Sequence, residues 1–380
     1  MNQQTMEGYL ILYKDILKQV KEEVNKLTIK QEELNQNEEN ILTIKHNTSE
    51  ILKILQESHA QSKNNSTNIE QTIKSLTKTI NIHHNSYVLS LIKINESAIA
   101  TGDHEGRIRL ISIVYDYKQW TMDFQIAAHT SGIKCLLKCN DNILISGSND
   151  GIIKVWRINN KNELSLPATL EGHKDQISQI IPITNSVIAS SSQDWSIIIW
   201  NVHSYQLIHK IKENFIVFSL LKLKNKDLLV SAGSGNEISF WNTLTFNKEN
   251  SVKCCSVWSR HGLIELPNQF IAVNGGLSDS IDIIDTDNYN VYKKIKCEDF
   301  IVSSSNSVYF SALNLLTNGT WIYAHEMKFC QVSFKEWDVV FKKEMKDEFS
   351  GNAIINMCDG KYIIATNCIK GVSVFKVEFK

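Results

Sequence analysis

After residue 100 the chain repeats one short pattern seven times: a strand of small residues, a polar turn, and a β-branched strand that ends in a bulky apolar residue. The clearest copy is ILISGSNDGIIKVWRI at residues 143–158, and the next is VIASSSQDWSIIIWNV at residues 187–202. The final bulky residues of the seven copies are Ile111, Trp156, Trp200, Trp241, Ile284, Val332 and Phe375. They are separated by 45, 44, 41, 43, 48 and 43 residues. A period of about 40–45 residues is typical of a unit built from four antiparallel strands.

This period predicts an all-β fold, a seven-bladed β-propeller over residues 79–380. We expect an α-helical coiled coil before it, because residues 1–78 have a different residue pattern. Residues 79–84 (TINIHH) occupy the place that residues 168–173 (ATLEGH) hold two blades later. We therefore expect the strand at 79–84 to become the outermost strand of the last blade. Such a strand closes the ring and pairs an edge that would otherwise stay open.

Residues 1–78 form a segment of another kind, with no proline and a single glycine. Their apolar residues follow a seven-residue repeat over about ten heptads, which is typical of a coiled coil. The repeat is regular at residues 6–34 and weaker at residues 41–56. We expect self-association through residues 6–56. Two alternatives are an antiparallel hairpin that turns near residues 35–40, and docking of the helices on the propeller.

Two of the repeats resemble those of the WD-repeat β-propeller family. Gly172-His173, Asp194 and Trp200-Asn201 match the family's pattern in one blade, and Ala128-His129, Asp150 and Trp156-Arg157 match it in the preceding blade. The fourth blade keeps Trp241-Asn242. The resemblance implies a buried hydrogen-bond network that ties the strands of each blade together. Its members would be His129, Ser146, Asp150 and Trp156, then His173, Ser190, Asp194 and Trp200, and in the fourth blade Trp241.

The recurring Ser, His and Asp have the composition of a hydrolase triad. An enzyme needs one triad, whereas here the trio returns at the same offsets in successive blades, so we interpret it as structural. The sequence contains no phosphate-binding loop, dinucleotide fingerprint or zinc-protease motif. We therefore expect no enzyme activity, no catalytic residue, no cofactor, no metal site and no small-molecule substrate.

Composition narrows the classes of partner. The formal net charge of −1 argues against a protein that coats nucleic acid. No run of residues approaches the ~18–20 apolar positions needed for a membrane span. The chain has eight cysteines and no C-x-x-C pair, which favours buried, reduced thiols. We expect a cytoplasmic protein.

In propellers of the resembled type, partners dock on a rim built from the loops before the innermost strands and the turns between the second and third strands. The candidate contact residues on these segments are Trp195, Lys174, Asp175, Thr130, Asn149 and Arg260. Trp195 is the most informative, because the family mostly has a small residue there and an exposed Trp is a typical interface anchor. Its alternative role is packing over a neighbouring loop.

These observations predict a non-enzymatic scaffold whose propeller surface binds other proteins and whose coiled coil makes it oligomeric. Two alternatives are a substrate-receptor or adaptor subunit of a ubiquitin-ligase or autophagy assembly, and a phosphoinositide-binding propeller.

Overall fold

Seven antiparallel sheets of four strands each make up the described part of the chain. The computed structural model describes residues 73–114, 117–140, 142–159, 163–257, 261–274, 280–296, 311–315, 321–325, 328–332, 339–344, 354–357, 362–367 and 371–379. The coiled coil predicted at residues 6–56 lies outside these ranges.

The first four sheets follow one another along the chain, each in sequence order. Sheet 1 contains β2 (Val88–Asn95), β3 (Ala98–Asp103), β4 (Arg107–Val114) and β5 (Gln119–Ala127). Sheet 2 contains β6 (Ile133–Asn140), β7 (Ile143–Ser148), β8 (Ile153–Ile158) and β9 (Leu164–Leu170). Sheet 3 contains β10 (Ile177–Pro182), β11 (Val187–Ser192), β12 (Ser196–Asn201) and β13 (Gln206–Lys212). Sheet 4 contains β14 (Val217–Lys222), β15 (Leu228–Gly233), β16 (Glu237–Asn242) and β17 (Lys248–Lys253).

The last three sheets have the same up-and-down order. Sheet 5 contains β18 (Leu263–Glu265), β19 (Phe270–Asn274), β20 (Ser280–Asp285) and β21 (Asn290–Lys296). Sheet 6 contains β22 (Ser311–Leu315), β23 (Trp321–His325), β24 (Lys328–Val332) and β25 (Val339–Glu344). Sheet 7 contains β26 (Ile354–Met357), β27 (Tyr362–Asn367), β28 (Gly371–Phe379) and, outside them, β1 (Ile73–His83).

The sheets are arranged as a closed ring. The first strand of each sheet contacts the first strand of the next sheet, and β26 of the last sheet contacts β2 of the first. This is the arrangement of blades in a propeller, with the first strands innermost. The prediction of an all-β propeller is therefore confirmed.

Strand β1 joins the two ends of the propeller. It pairs antiparallel with β28, from Ile73 opposite Phe379 to His83 opposite Gly371. Residues 73–78, which the heptad pattern assigned to the helical segment, are therefore strand, and the helical boundary at residue 78 is corrected. The closing strand covers residues 73–83 instead of 79–84. The reason is that the edge of β28 would otherwise have unpaired backbone groups. The Ile- and Thr-rich sequence of residues 73–83 suits a strand that pairs with this edge.

The core lies between neighbouring sheets. Trp156 of sheet 2 packs with Leu110 of sheet 1, and Trp200 of sheet 3 packs with Val155 of sheet 2. Trp241 of sheet 4 in turn packs with Ile199 of sheet 3. In sheets 2 to 4 the third-strand tryptophan therefore joins its sheet to the one before it. Burying large apolar side chains in this way is the main stabilising contribution in such a ring.

All seven outermost strands carry an irregularity at the same place. The pairing of the third and fourth strands shifts register beside the bulky residue of the repeat, for example between Ile199 and Trp200 in sheet 3. Such a β-bulge increases local twist and makes an exposed edge a poor template for further strands.

Candidate functional site

His129, Ser146, Asp150 and Trp156 lie together in sheet 2. The Trp156 indole N–H donates to Ser146 Oγ over 2.8 Å, and Ser146 Oγ lies 2.7 Å from His129 Nε2. His129 Nδ1 lies 3.0 Å from Asp150 Oδ2. Because the carboxylate only accepts, Nδ1 carries the imidazole proton and Nε2 accepts from the serine hydroxyl. The result is one directed chain of hydrogen bonds from the third strand to the turn.

Sheet 3 repeats this arrangement. The Trp200 indole N–H donates to Ser190 Oγ over 2.8 Å, and Ser190 Oγ lies 2.8 Å from His173 Nε2. His173 Nδ1 lies 3.1 Å from Asp194 Oδ2. Asp194 also accepts from the hydroxyl of Ser196 at 2.5 Å. The two networks therefore match atom for atom at the positions that the sequence aligned.

The electrostatics of the networks suit a structural role. Burial lowers the pKa of His129 despite the nearby Asp150. Burial alone would raise the pKa of Asp150, but His129 and hydrogen bonds from the turn lower it. The hydroxyl-bearing Ser146 and Ser190 are both fully buried, so a substrate cannot reach them. A satisfied buried network of this kind rigidifies a fold.

Sheet 4 carries a variant that the sequence pattern did not reveal. The Trp241 indole N–H donates to Ser231 Oγ over 2.8 Å, and Ser231 Oγ donates to Glu213 Oε1 over 2.5 Å. Glu213 is buried and burial raises its pKa. A carboxyl thus takes the place of the histidine. The offset of Ser231 from Trp241, ten residues as in sheets 2 and 3, is the signal that would have identified the serine.

One rim of the ring is built from two kinds of segment that bond to each other. In sheets 1 to 4 a backbone N–H in the turn between the second and third strands donates to a carbonyl in the loop before the first strand. The donor and acceptor pairs, at 2.9–3.0 Å, are His104 and Tyr87, Asn149 and Gly132, Gln193 and Gln176, and Ser234 and Ile216. The candidate contact residues on these segments therefore share one rim.

Trp195 is the unusual residue of this rim. Its backbone is left-handed (φ 64°) and its side chain is 48% exposed. It stands five residues before Trp200, and the matching positions of sheets 1 and 2 are Gly106 (φ 79°) and Gly151 (φ 78°). Its carbonyl accepts a hydrogen bond from Glu213 N over 2.8 Å. The turn thus holds an exposed indole in a conformation that normally requires glycine.

The other candidates lie around it with ordinary geometry. Lys174, Asp175 and Thr130 are exposed, whereas Asn149 is half-buried. The backbone N–H of Lys174 donates to Asp194 Oδ2 over 2.9 Å, which fixes Lys174 beside the Trp195 turn. Arg260 lies outside the described residues.

The described ranges contain neither a metal-binding cluster nor a membrane-spanning helix. No group of three or more His, Cys, Asp or Glu side chains there is placed to hold a metal ion. No helix in this part of the chain is long and apolar enough to cross a membrane.

Comparison with known proteins agrees with the geometry. The family described as WD domain, G-beta repeat matches residues 120–157 and 164–201, which include both complete networks. The WD40 β-propeller domain of Doa1 superposes with a TM-score of 0.65 at 15% identity, covering 80% of this chain and 98% of that one.

Curated relatives match over shorter stretches. Protein transport protein SEC13 of Yarrowia lipolytica is 26% identical over 139 residues, which is 34% of this chain and 44% of that protein. The SEC13 homolog of Rattus norvegicus is 30% identical over 108 residues, 25% of this chain and 33% of that protein. FIZZY-RELATED 3 of Arabidopsis thaliana is 26% identical over 211 residues, 53% of this chain and 41% of that protein. The chain therefore spans less than half the length of these relatives. Two segments of the chain thus match the WD repeat, and the superposition shows that the described residues have the fold of a WD40 β-propeller.

Proposed function

We propose that this propeller is a non-enzymatic scaffold that binds other proteins through the rim around Trp195. The exposed, left-handed Trp195 is the observation that carries the proposal. A side chain with a Cβ in this conformation costs about 1–2 kcal/mol relative to glycine. Backbone strain is kept here at an exposed position where two other sheets use glycine, which points to a role for the indole side chain of Trp195.

The surroundings of Trp195 suit a protein contact. A large, rigid aromatic group that is half-exposed gains contact area on binding with little loss of conformational entropy. Lys174 and Asp175, both exposed, offer polar groups beside it. A central aromatic anchor with a polar margin is the usual composition of a protein interface.

The fold and the relatives support the same class of function. The serines of the repeated networks are buried, so the Ser, His and Asp trios hold the sheets and leave no reactive hydroxyl at the surface. One relative is named a protein transport protein, and a scaffold for other proteins is in keeping with that name.

Self-association is the second component of the proposal. The heptad repeat at residues 6–56 supports a coiled coil that would place two or more propellers in one particle. Joining modules in this way strengthens binding by about 10²–10⁴-fold where both can engage one target.

Affinity purification with quantitative mass spectrometry tests the interaction surface. The three baits are the unaltered chain, Trp195→Gly and Leu166→Ala, the last removing a side chain that is 46% exposed on the outer strand β9. We expect at least one protein to be retained by the first and third baits and lost with Trp195→Gly. Identical sets of proteins on all three baits would contradict the proposal.

A further inference from the structure

His84 lies in the loop before sheet 1, at the place that His129 holds before sheet 2, but the proton is on the other ring nitrogen. His84 lies beside Arg109, with the guanidinium NH1 bonded to Nδ1 of the imidazole. A guanidinium only donates, so His84 Nδ1 accepts and its proton is on Nε2. In sheets 2 and 3 the equivalent Nδ1 faces an aspartate and is the protonated nitrogen. Among the described residues His84 Nε2 has no hydrogen-bond partner.

Arg109 is a buried cation with incomplete compensation. Its side chain is only 7% exposed. Arg109 Nε donates to Gln125 Oε1 over 2.5 Å, a neutral partner. The nearby carboxylate of Asp103 has its Oδ2 3.7 Å from Arg109 NH1 and only 2.8 Å from Arg107 Nε. Burial lowers the pKa of Arg109, in keeping with a charge that lacks a close counterion of its own.

A cavity of about 180 Å³ opens beside this cation. It lies where sheet 7 meets sheet 1, between the end of β1 and strands β4 and β5, the third and fourth strands of sheet 1. His84, Arg109 and Gln125 form its polar wall, and Ile82, Trp120 and Met122 form its apolar wall. The same position in sheet 2 is Lys154, whose ammonium donates to the carbonyl of Ala128 over 2.6 Å, and in sheet 3 it is Ile198. The arrangement in sheet 1 thus differs from that of its two neighbours in the repeat.

We propose that this cavity binds a small oxyanion, a carboxylate or a phosphate, carried by a compound whose apolar part lies against Trp120 and Met122. The guanidinium of Arg109 supplies charge-assisted hydrogen bonds of the kind that both oxyanions accept. The indole of Trp120 and the thioether of Met122 supply apolar contact for a ring or short chain. The site uses none of the rim residues around Trp195, so it is independent of the proposed protein contact.

The test uses calorimetric titration of the full chain with benzoate, phenyl phosphate and the uncharged benzyl alcohol. Benzoate and phenyl phosphate distinguish the two oxyanions, and the alcohol keeps only the apolar part. The key variant is Gln125→Glu, which has the same shape and gives Arg109 a permanent carboxylate partner. Gln125 is exposed on β5, and its matched control is Gln119→Glu, the same change at another exposed position of β5 that does not line the cavity.

We expect one of the two anions to bind at least about tenfold more tightly than benzyl alcohol. Gln125→Glu should weaken that binding by at least about tenfold, while Gln119→Glu leaves it within about twofold. Because Gln125→Glu pairs a buried charge, its melting temperature should equal or exceed that of the unaltered chain, which excludes unfolding as the cause. The proposal is overturned if neither anion binds up to about 10 mM, if the alcohol binds equally well, or if the two variants behave alike.

Discussion

Ser231 donates a buried hydrogen bond of 2.5 Å to Glu213, which stands in sheet 4 where sheet 3 has His173. In both sheets the serine hydroxyl also accepts from the indole N–H of a tryptophan ten residues later. The buried carboxyl of Glu213 is either an anion or a protonated acid, and burial favours the protonated acid. Sheet 4 therefore has a pH dependence of its own.

The first prediction concerns Glu213→Gln. Burial raises the pKa of Glu213 above its ordinary value of 4.5. As the pH rises through 4.5, the carboxyl of Glu213 ionises first in the unfolded chain. This lowers the free energy of unfolding of the wild type until the pH passes the raised pKa of Glu213 in the folded state. Glutamine does not titrate, and the variant should gain stability relative to wild type over the same interval. Urea unfolding at pH 4, 5.5 and 7 measures the difference.

The control for this experiment is Glu171→Gln, at an exposed position of the loop between β9 of sheet 2 and β10 of sheet 3. It should leave the pH dependence unchanged. A constant difference between Glu213→Gln and wild type at all three pH values would refute the assignment of Glu213 as a titrating buried group.

The second prediction compares Trp195→Gly with Trp195→Ala. Both remove the indole, so they differ mainly in tolerance of φ 64°. Glycine usually destabilises relative to alanine, but at a left-handed position the order reverses. Trp195→Gly should therefore be more stable than Trp195→Ala by about 1 kcal/mol. If alanine proves the more stable in chemical denaturation, the backbone strain at this turn is absent.

The third prediction concerns Ser190→Ala. The change leaves the Trp200 indole N–H and the His173 imidazole without their shared partner. Leaving buried polar groups unpaired costs about 1–3 kcal/mol each, so thermal unfolding should shift down by several degrees. Ser204→Ala, in an exposed turn of the same sheet, should change stability by less than about 0.5 kcal/mol. An equal effect of the two changes would mean that the network does not stabilise the sheet.

A fourth prediction separates the helical segment from the ring. A chain that begins at residue 70 keeps all of β1, so the propeller should fold, and it should be monomeric without residues 6–56. The whole chain should contain two or more copies per particle. Light scattering coupled to gel filtration gives both masses. The same number of copies in both particles would contradict self-association through residues 6–56.

Much of the ring could be predicted because the repeat is read locally. Trp156, Trp200 and Trp241 stand at regular spacing and each occupies the third strand of its sheet. The networks of sheets 2 and 3 could be located for the same reason, since each member recurs at a fixed offset. Glu213 does not follow that pattern, because it replaces the histidine with a carboxyl that accepts the hydrogen bond of the serine. The histidine pattern therefore does not predict it.

Other features depend on contacts between distant parts of the chain. Phe246 and Tyr289 have left-handed backbones (φ 58° and 51°), where the sequence alone favours glycine or asparagine. Their rings pack on the preceding sheet. The ring centroids of Phe246 and His209 are 5.1 Å apart, and those of Tyr289 and Phe240 are 4.9 Å apart. Packing offsets the local strain there. The extension of β1 back to Ile73 has a similar origin, since it depends on the free edge of β28 almost 300 residues later.

The most direct test of the account places a photocrosslinking amino acid at position 195 and, separately, at position 166. Leu166 is exposed on the outer strand β9, away from the rim turns, and is a matched apolar control. Crosslinking in cells should join a partner protein to position 195 with at least about tenfold higher yield than to position 166. Equal yields at the two positions, or crosslinks at position 166 alone, would contradict a protein-binding surface centred on Trp195.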